Sequence, residues 1–160
     1  MADPSGAVLG IWQAAEARGA ERVNEPGAWS WSGLNTRDPE GATRFYGEVF
    51  GWEPETMDLG GSDYTLFHVS GYVGGEPEQP VARDVVAGMA AMTDDRFAAE
   101  VPPHWSIDFW VDDVDATADR AAELGGGVVT PPYDTPIFRQ AILTDPDGAA
   151  FSVSRVAARG

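Results

Sequence analysis

Three side chains of this 160-residue chain are candidates for moving a proton: the imidazoles of His68 and His104, and the carboxyl of Asp108. Strand residues alternate between faces. The run from 104 to 111 therefore sorts into an apolar row of Trp105, Ile107, Phe109 and Val111 and an opposite row of His104, Ser106, Asp108 and Trp110. Apolar surroundings disfavour the charged form of a carboxyl, and such a group serves as a proton donor or base. Two other readings of Asp108 stay open: an ion pair with an Arg such as Arg139, or a place at a wet cavity mouth. His104 follows Pro102 and Pro103, which suits either a helper to Asp108 or a hydrogen-bonded structural residue at the strand entrance. His68 shares a face with Tyr64 and Leu66, and its direction is not assignable from the sequence.

Other chemistries are excluded by composition. With no Cys there is no disulfide, thiolate nucleophile or iron–sulfur ligation. All ten basic residues are Arg, so Schiff-base lysines and P-loop lysines are absent. Two His residues cannot make a three-His site. The formal net charge of -16 opposes nucleic acid and anionic membrane surfaces as partners. No apolar run approaches the roughly 20 residues that span a bilayer. The opening MADPSGAVLG lacks a charged-then-apolar leader, so a cytoplasmic location is expected.

The elements that position these residues occur twice. Trp29 to Thr36 reads as a strand, and Asp38-Pro39-Glu40 as a helix cap with proline in the first turn. Ala42, Phe45, Tyr46, Val49 and Phe50 follow at helical spacing, and Gly51 ends the helix. The pattern returns with a strand from Trp105 to Val111, a cap at Asp113, and Val114, Ala118, Ala121 and Leu124 at helical spacing before Gly125 to Gly127. Asp38 pairs with Asp113, and Gly51 with Gly126. Strand-like pieces follow each helix: Glu53 to Asp58, Tyr64 to Val69 and Val85 to Met92, then Val128–Val129, Phe138 to Leu143 and Ala150 to Ser154. Asp145-Pro146-Asp147-Gly148 makes a tight turn. Gly71 to Arg83 and Thr93 to Pro103 are long loops of the kind that form lids or stay disordered. Asp3-Pro4-Ser5-Gly6-Ala7 echoes the later turn, with Val8 to Trp12 as the strand after it. The domain is expected over 28–157, in modules 28–92 and 104–157, with 1–27 as an N-terminal extension.

Ala42-x-x-Phe45-Tyr46-x-x-Val49-Phe50-Gly51-Trp52 resembles the first helix of the vicinal oxygen chelate superfamily, which includes glyoxalase I, bleomycin-resistance proteins and extradiol dioxygenases. Val111-Asp112-Asp113-Val114-Asp115-Ala116, Leu124-Gly125-Gly126 and Asp145-Pro146-Asp147-Gly148-Ala149 resemble its second half. The resemblance runs from Trp29 to Val156. It implies an α+β fold of paired βαβββ modules whose curved mixed sheets enclose a ligand cavity. Val23-Asn24-Glu25-Pro26-Gly27 resembles the linker of tandem members, so the chain resembles a second domain preceded by the tail of a first.

The family's metalloenzymes hold their ion with His, Glu or Gln at four places. Carried over by position these are Trp31, Ser106, Ser152 and a place near Gly88, none a usual ligand for a divalent ion. No metal and no other cofactor is therefore expected. The row containing Ser106 should face the cavity, and the opposite row should pack under the second helix. Matching rows are Trp29, Trp31 and Gly33 on the first strand, and Ala150, Ser152 and Ser154 on the last. The fourth contributes Val86, Gly88, Ala90 and Met92. The ligand-binding candidates are Trp29, Trp31, Met92, Ser106, Trp110 and Ser152, with Asp108 and His104 as the catalytic candidates.

An apolar, aromatic cavity with a few placed polar groups suits a flat, largely apolar ligand. The leading expectation is a metal-free small-molecule-binding protein of the bleomycin-resistance kind. The runner-up is a metal-independent enzyme doing proton transfer, lyase or cyclisation chemistry with Asp108. A weaker third reading is a glyoxalase- or dioxygenase-like metalloenzyme with displaced ligands. A homodimer is expected, because family members pair and two-fold dimers are the commonest oligomers. Residues 7–13 are placed to add a strand to an open sheet edge.

Overall fold

Local chemistry at the helix ends sets the frame. In the computed structural model, which describes residues 1–16, 19–58, 63–74 and 82–157, the element order is β1 (Trp29–Thr36), α1 (Pro39–Phe50), β2 (Glu53–Asp58), β3 (Asp63–His68), β4 (Val85–Ala91), β5 (His104–Trp110), α2 (Val114–Glu123), β6 (Gly127–Asp134), β7 (Phe138–Thr144) and β8 (Ala150–Val156). This is the α+β class, with βαβββ occurring twice. The Asp38 carboxylate accepts from Gly41 N at 2.9 Å, and Asp113 accepts from Ala116 N at 3.0 Å, each satisfying a free donor of a first turn. A methyl group at Gly41 would displace the Asp38 carboxylate from this capping position. Gly51 closes α1 at φ 70°. After α2 the left-handed residue is Gly125, at φ 90°, so Gly125 rather than Gly126 is the counterpart of Gly51.

Contacts divide the chain into two units, one comprising Met1–Gly19 and Ser32–Trp105, the other Ala20–Trp31 and Ser106–Gly160. In the first, the strands run in the order β2-β3-β4-β1, with β1 and β4 parallel and the other pairs antiparallel. Leu34, Ala42, Tyr46, Phe67, Ala87 and Met89 form its core beneath α1. In the second, the order is β5-β8-β7-β6, with β5 and β8 parallel. Its core is Val114, Ala118, Ala141, Leu143 and Val153. β6 extends well beyond the expected Val128–Val129 and carries Pro131 and Pro132. Its pairing with β7 slips register there, and such an irregularity in a terminal strand is where proline is accommodated.

The strand expected over Val8 to Trp12 is not formed. Met1 to Leu9 folds back on itself, with Leu9 N donating to Met1 O at 2.9 Å and a single bridge between Ala2 and Val8. Ala7 is fully buried in the first core and Leu9 packs beside it, whereas Val8, Ile11 and Trp12 are exposed. The loop expected from Thr93 to Pro103 is tied down: Arg37 donates to Ala98 O at 3.0 Å and pairs with Asp94 at 3.2 Å. Of the other long loop, residues 75–81 lie outside the described residues.

Candidate functional site

Parallel pairing of β5 with β8 sets Asp108 opposite Ser152 and Trp110 opposite Ser154. Phe109 and Val153 pack in the core beneath α2, so Asp108, Ser152 and Ser154 lie on the other face of the sheet. Asp108 is only 6% exposed. Its Oδ1 accepts from the Ser30 hydroxyl at 2.8 Å and the Ser154 hydroxyl at 2.5 Å, while its buried Oδ2 has no hydrogen-bond partner. Two hydroxyl donors offset part of the cost of burying a carboxyl, and one oxygen stays uncompensated. Ser152, also buried, donates to Ile107 O at 3.3 Å. Trp29, Trp31, Ser106 and Trp110 belong to this second unit and are each partly buried.

The Arg139 alternative for Asp108 is excluded. Arg139 donates to both oxygens of Asp115, at 2.6 and 2.7 Å, and to Asp134 at 3.0 Å. That fork holds the Asp115 carboxyl below the usual range and raises the guanidinium above its own.

Sequence reasoning identified Asp108 and missed its partners. Ser154 stood in an inward row without a role. Ser30 lies 78 positions from Asp108, and no spacing links them. The apolar row of β5 also divides. Phe109 and Val111 pack with α2 as expected, whereas Ile107 is exposed and Trp105 joins the core of the first unit. The Trp105 indole donates to Tyr46 Oη at 3.0 Å, a phenol that burial pushes well above its usual range.

His104 and Met92 belong to the first unit. His104 Nδ1 lies 2.8 Å from Pro102 O, which makes it the donor, and Nε2 is 3.4 Å from the Asn35 amide nitrogen. Both ring nitrogens thus have a polar neighbour. Met92 is buried. His68 sits between two carboxylates, Nδ1 3.1 Å from Asp84 and Nε2 3.1 Å from Glu55.

The four family ligand places do not fit a divalent ion. They hold an indole at Trp31, hydroxyls at Ser106 and Ser152, and no side chain at Gly88. A methyl group at Gly88 would collide with the Tyr64 hydroxyl, so that phenol lies across the place. Among the described residues no three His, Asp or Glu side chains are grouped to hold a metal. No helix of the described residues is long and apolar enough to cross a membrane.

Residues 33–154 match the family described as a glyoxalase-like domain. The chain is 39% identical over 160 residues to "Putative glyoxylase CFP32" of Mycobacterium tuberculosis, covering 98% of this chain and 55% of that protein. It is 38% identical over 153 residues to the anthracycline biosynthesis protein DnrV of Streptomyces peucetius, covering 96% of this chain and 50% of that one. The chain thus spans about half the length of the curated relatives it matches. Among solved structures, a Streptomyces coelicolor methylmalonyl-CoA epimerase variant in complex with 2-nitronate-propionyl-CoA superposes with a TM-score of 0.56 at 19% identity. The match covers 84% of this chain and 97% of that one, and shares the vicinal oxygen chelate fold.

Proposed function

The chain belongs to the glyoxalase-like domain family, and from that premise we propose that it is a small-molecule-binding protein that works without a metal. The observation that carries this is the content of the four ligand places: Trp31, Gly88, Ser106 and Ser152 supply no imidazole or carboxylate. Trp29, Trp31, Ser106, Trp110 and Ser152, all in the second unit, are the proposed ligand contacts. They suit a flat, largely apolar molecule held by a few hydroxyls. Similarity to a protein named for anthracycline biosynthesis supports a flat polycyclic ligand. Screening such compounds by Trp fluorescence and thermal shift tests the reading, because a ligand of the native state raises its midpoint. Elemental analysis finding about one Zn, Ni, Mn or Fe per chain, with function lost to a chelator, overturns it.

The unpartnered Oδ2 of Asp108 favours a second reading, a metal-independent enzyme doing proton transfer, lyase or cyclisation chemistry. Asp108 is then the acid or base. Asp108→Asn separates the readings. An enzyme loses about 10²-fold or more in turnover at unchanged affinity. A binder changes affinity by no more than one hydrogen bond, roughly 0.5–1.5 kcal/mol. Homodimerisation is part of the proposal, and a monomer by light scattering at micromolar concentration removes it.

A further inference from the structure

On the face of the second unit away from α2, direct partners on neighbouring strands line up across β5, β8 and β7. Asp108, Ser152 and Ile142 make one line, and Trp110, Ser154 and Gln140 make the next. The polar groups of this face are satisfied among themselves. Ser30 and Ser154 donate to Asp108 Oδ1, Ser152 donates to Ile107 O, and Gln140 accepts from the Tyr133 hydroxyl. Asp108 Oδ2 stands apart as a buried acceptor with no partner. A buried carboxylate normally has a cation or further donors beside it. Each described arginine of this unit is committed elsewhere: Arg22 to Glu25, Arg120 to Glu123, Arg139 to Asp115 and Asp134, and Arg155 to Asp112 O. The chain has no Lys.

We propose that the missing cation comes from the ligand: Asp108 Oδ2 accepts a hydrogen bond from the ammonium group of a protonated aromatic amine. A divalent metal ion needs several oxygen ligands, more than one free carboxylate oxygen supplies. A neutral donor would satisfy the hydrogen bond and leave the charge uncompensated. An ammonium group answers both, and Trp110, two residues along on the same face, adds a ring of the kind that attracts organic cations. The net charge of -16 draws such ligands toward the protein. Trp110, Gln140 and Ile142 are only partly buried, so the ammonium group enters by rotation of bordering side chains, with the sheet intact. This inference rests on the small-molecule-binding reading above and deepens it by naming the ligand class.

The test uses 1-naphthylmethylamine and 1-naphthylmethanol, which share a shape and differ in charge, titrated calorimetrically against the whole chain at pH 7. The titrations are run in 0.5 M NaCl, where attraction to the acidic surface is screened. The unaltered protein is expected to bind the amine about 10-fold more tightly, the scale of a hydrogen bond between charged groups. Asp108→Asn and Asp108→Ala are each expected to abolish that preference and still bind the alcohol. Either variant suffices once a thermal melt shows it folded. Equal affinity of the unaltered protein for both compounds overturns the ammonium site while the binding reading stands. A preference that survives in a folded Asp108 variant removes Asp108 as its source. Failure of the unaltered protein to bind either compound overturns both the site and the binding reading.

Discussion

The two βαβββ units repeat the same signals and fill their interiors differently. Tyr46 of α1 packs against Phe45, Phe50, Trp52, Phe67 and Trp105, with ring centroids 5.2–6.2 Å apart. Its counterpart 75 positions on (46 to 121) is Ala121, beside an open groove of about 670 Å³ lined by Val111, Leu124, Leu143 and Phe151. In the first unit, Ala7 of the N-terminal turn lies in the core against that helix, and Asp3 Oδ2 accepts from Tyr46 Oη at 3.1 Å. The backbone hydrogen bonds of the two Asp-Pro-x-Gly-Ala turns match. Asp3 Oδ1 accepts from Ser5 N and Ala7 N at 2.9 Å each, and Asp145 Oδ1 accepts from Asp147 N at 2.9 Å and Ala149 N at 2.8 Å. One turn is a core component and the other is exposed. Turn geometry is therefore a property of five residues, whereas burial depends on what faces them.

Removing the centre of the aromatic core breaks the comparison most severely. Tyr46→Ala is expected to cost about 3–5 kcal/mol in denaturant unfolding, the range for deleting a large buried aromatic. Losses at or below 1 kcal/mol would mean the cluster collapses to fill the space. The twin turns provide a matched pair. Asp3→Ala strips acceptors from two backbone donors and the buried phenol, and is expected to cost about 2–3 kcal/mol. Asp145→Ala, in the exposed copy, is expected to cost about 1 kcal/mol, so equal costs would refute a burial-dependent role for the first turn.

Alkaline titration sharpens the same contrast. Burial raises the Tyr46 phenol above its ordinary value near 10. The associated stability is complete below that value and is lost as pH rises past it, because the unfolded phenol ionises first. The thermal midpoint should fall more steeply from pH 9.5 to 11 than in Tyr46→Phe, and parallel curves would count against it. The smallest effect belongs to the exposed fork of the second unit. Asp115 is held below its usual range by Arg139, so its contribution is present above about pH 4 and fades as pH falls through the lowered value. Arg139→Met should remove that acid limb and barely move the midpoint at pH 7, as expected for an exposed pair.

Much of the frame was legible because its determinants are local. Asp38, Pro39 and Asp113 act within one helical turn, and period-two alternation correctly set Asp108 and Ser152 on the face away from α2. Some long-range placements follow other determinants. Val8 to Trp12 follows the same turn as the last strand yet finds no partner strand among the described residues, and Trp105 joins the core of Tyr46, whose hydroxyl accepts from its indole, rather than that of Phe109. Of the candidate site, the residue types at the four ligand places could be read directly, but not the groups surrounding them.

The sequence by itself determined the module order, the helix caps, the turn chemistry and the lack of ligating side chains at Trp31, Gly88, Ser106 and Ser152. Each depends on residues within about five positions or on identity at one position. Tertiary structure alone decided that Ser30 and Ser154 share one oxygen of Asp108, that Tyr64 lies across Gly88, and that Asp3 closes the hydrogen-bond chain through Tyr46 to Trp105. Most of these contacts join residues tens of positions apart, and even Tyr64 and Gly88 meet only through the pairing of β3 with β4. They form when packing brings the strands together, and spacing along the chain carries no record of which side chains will then meet.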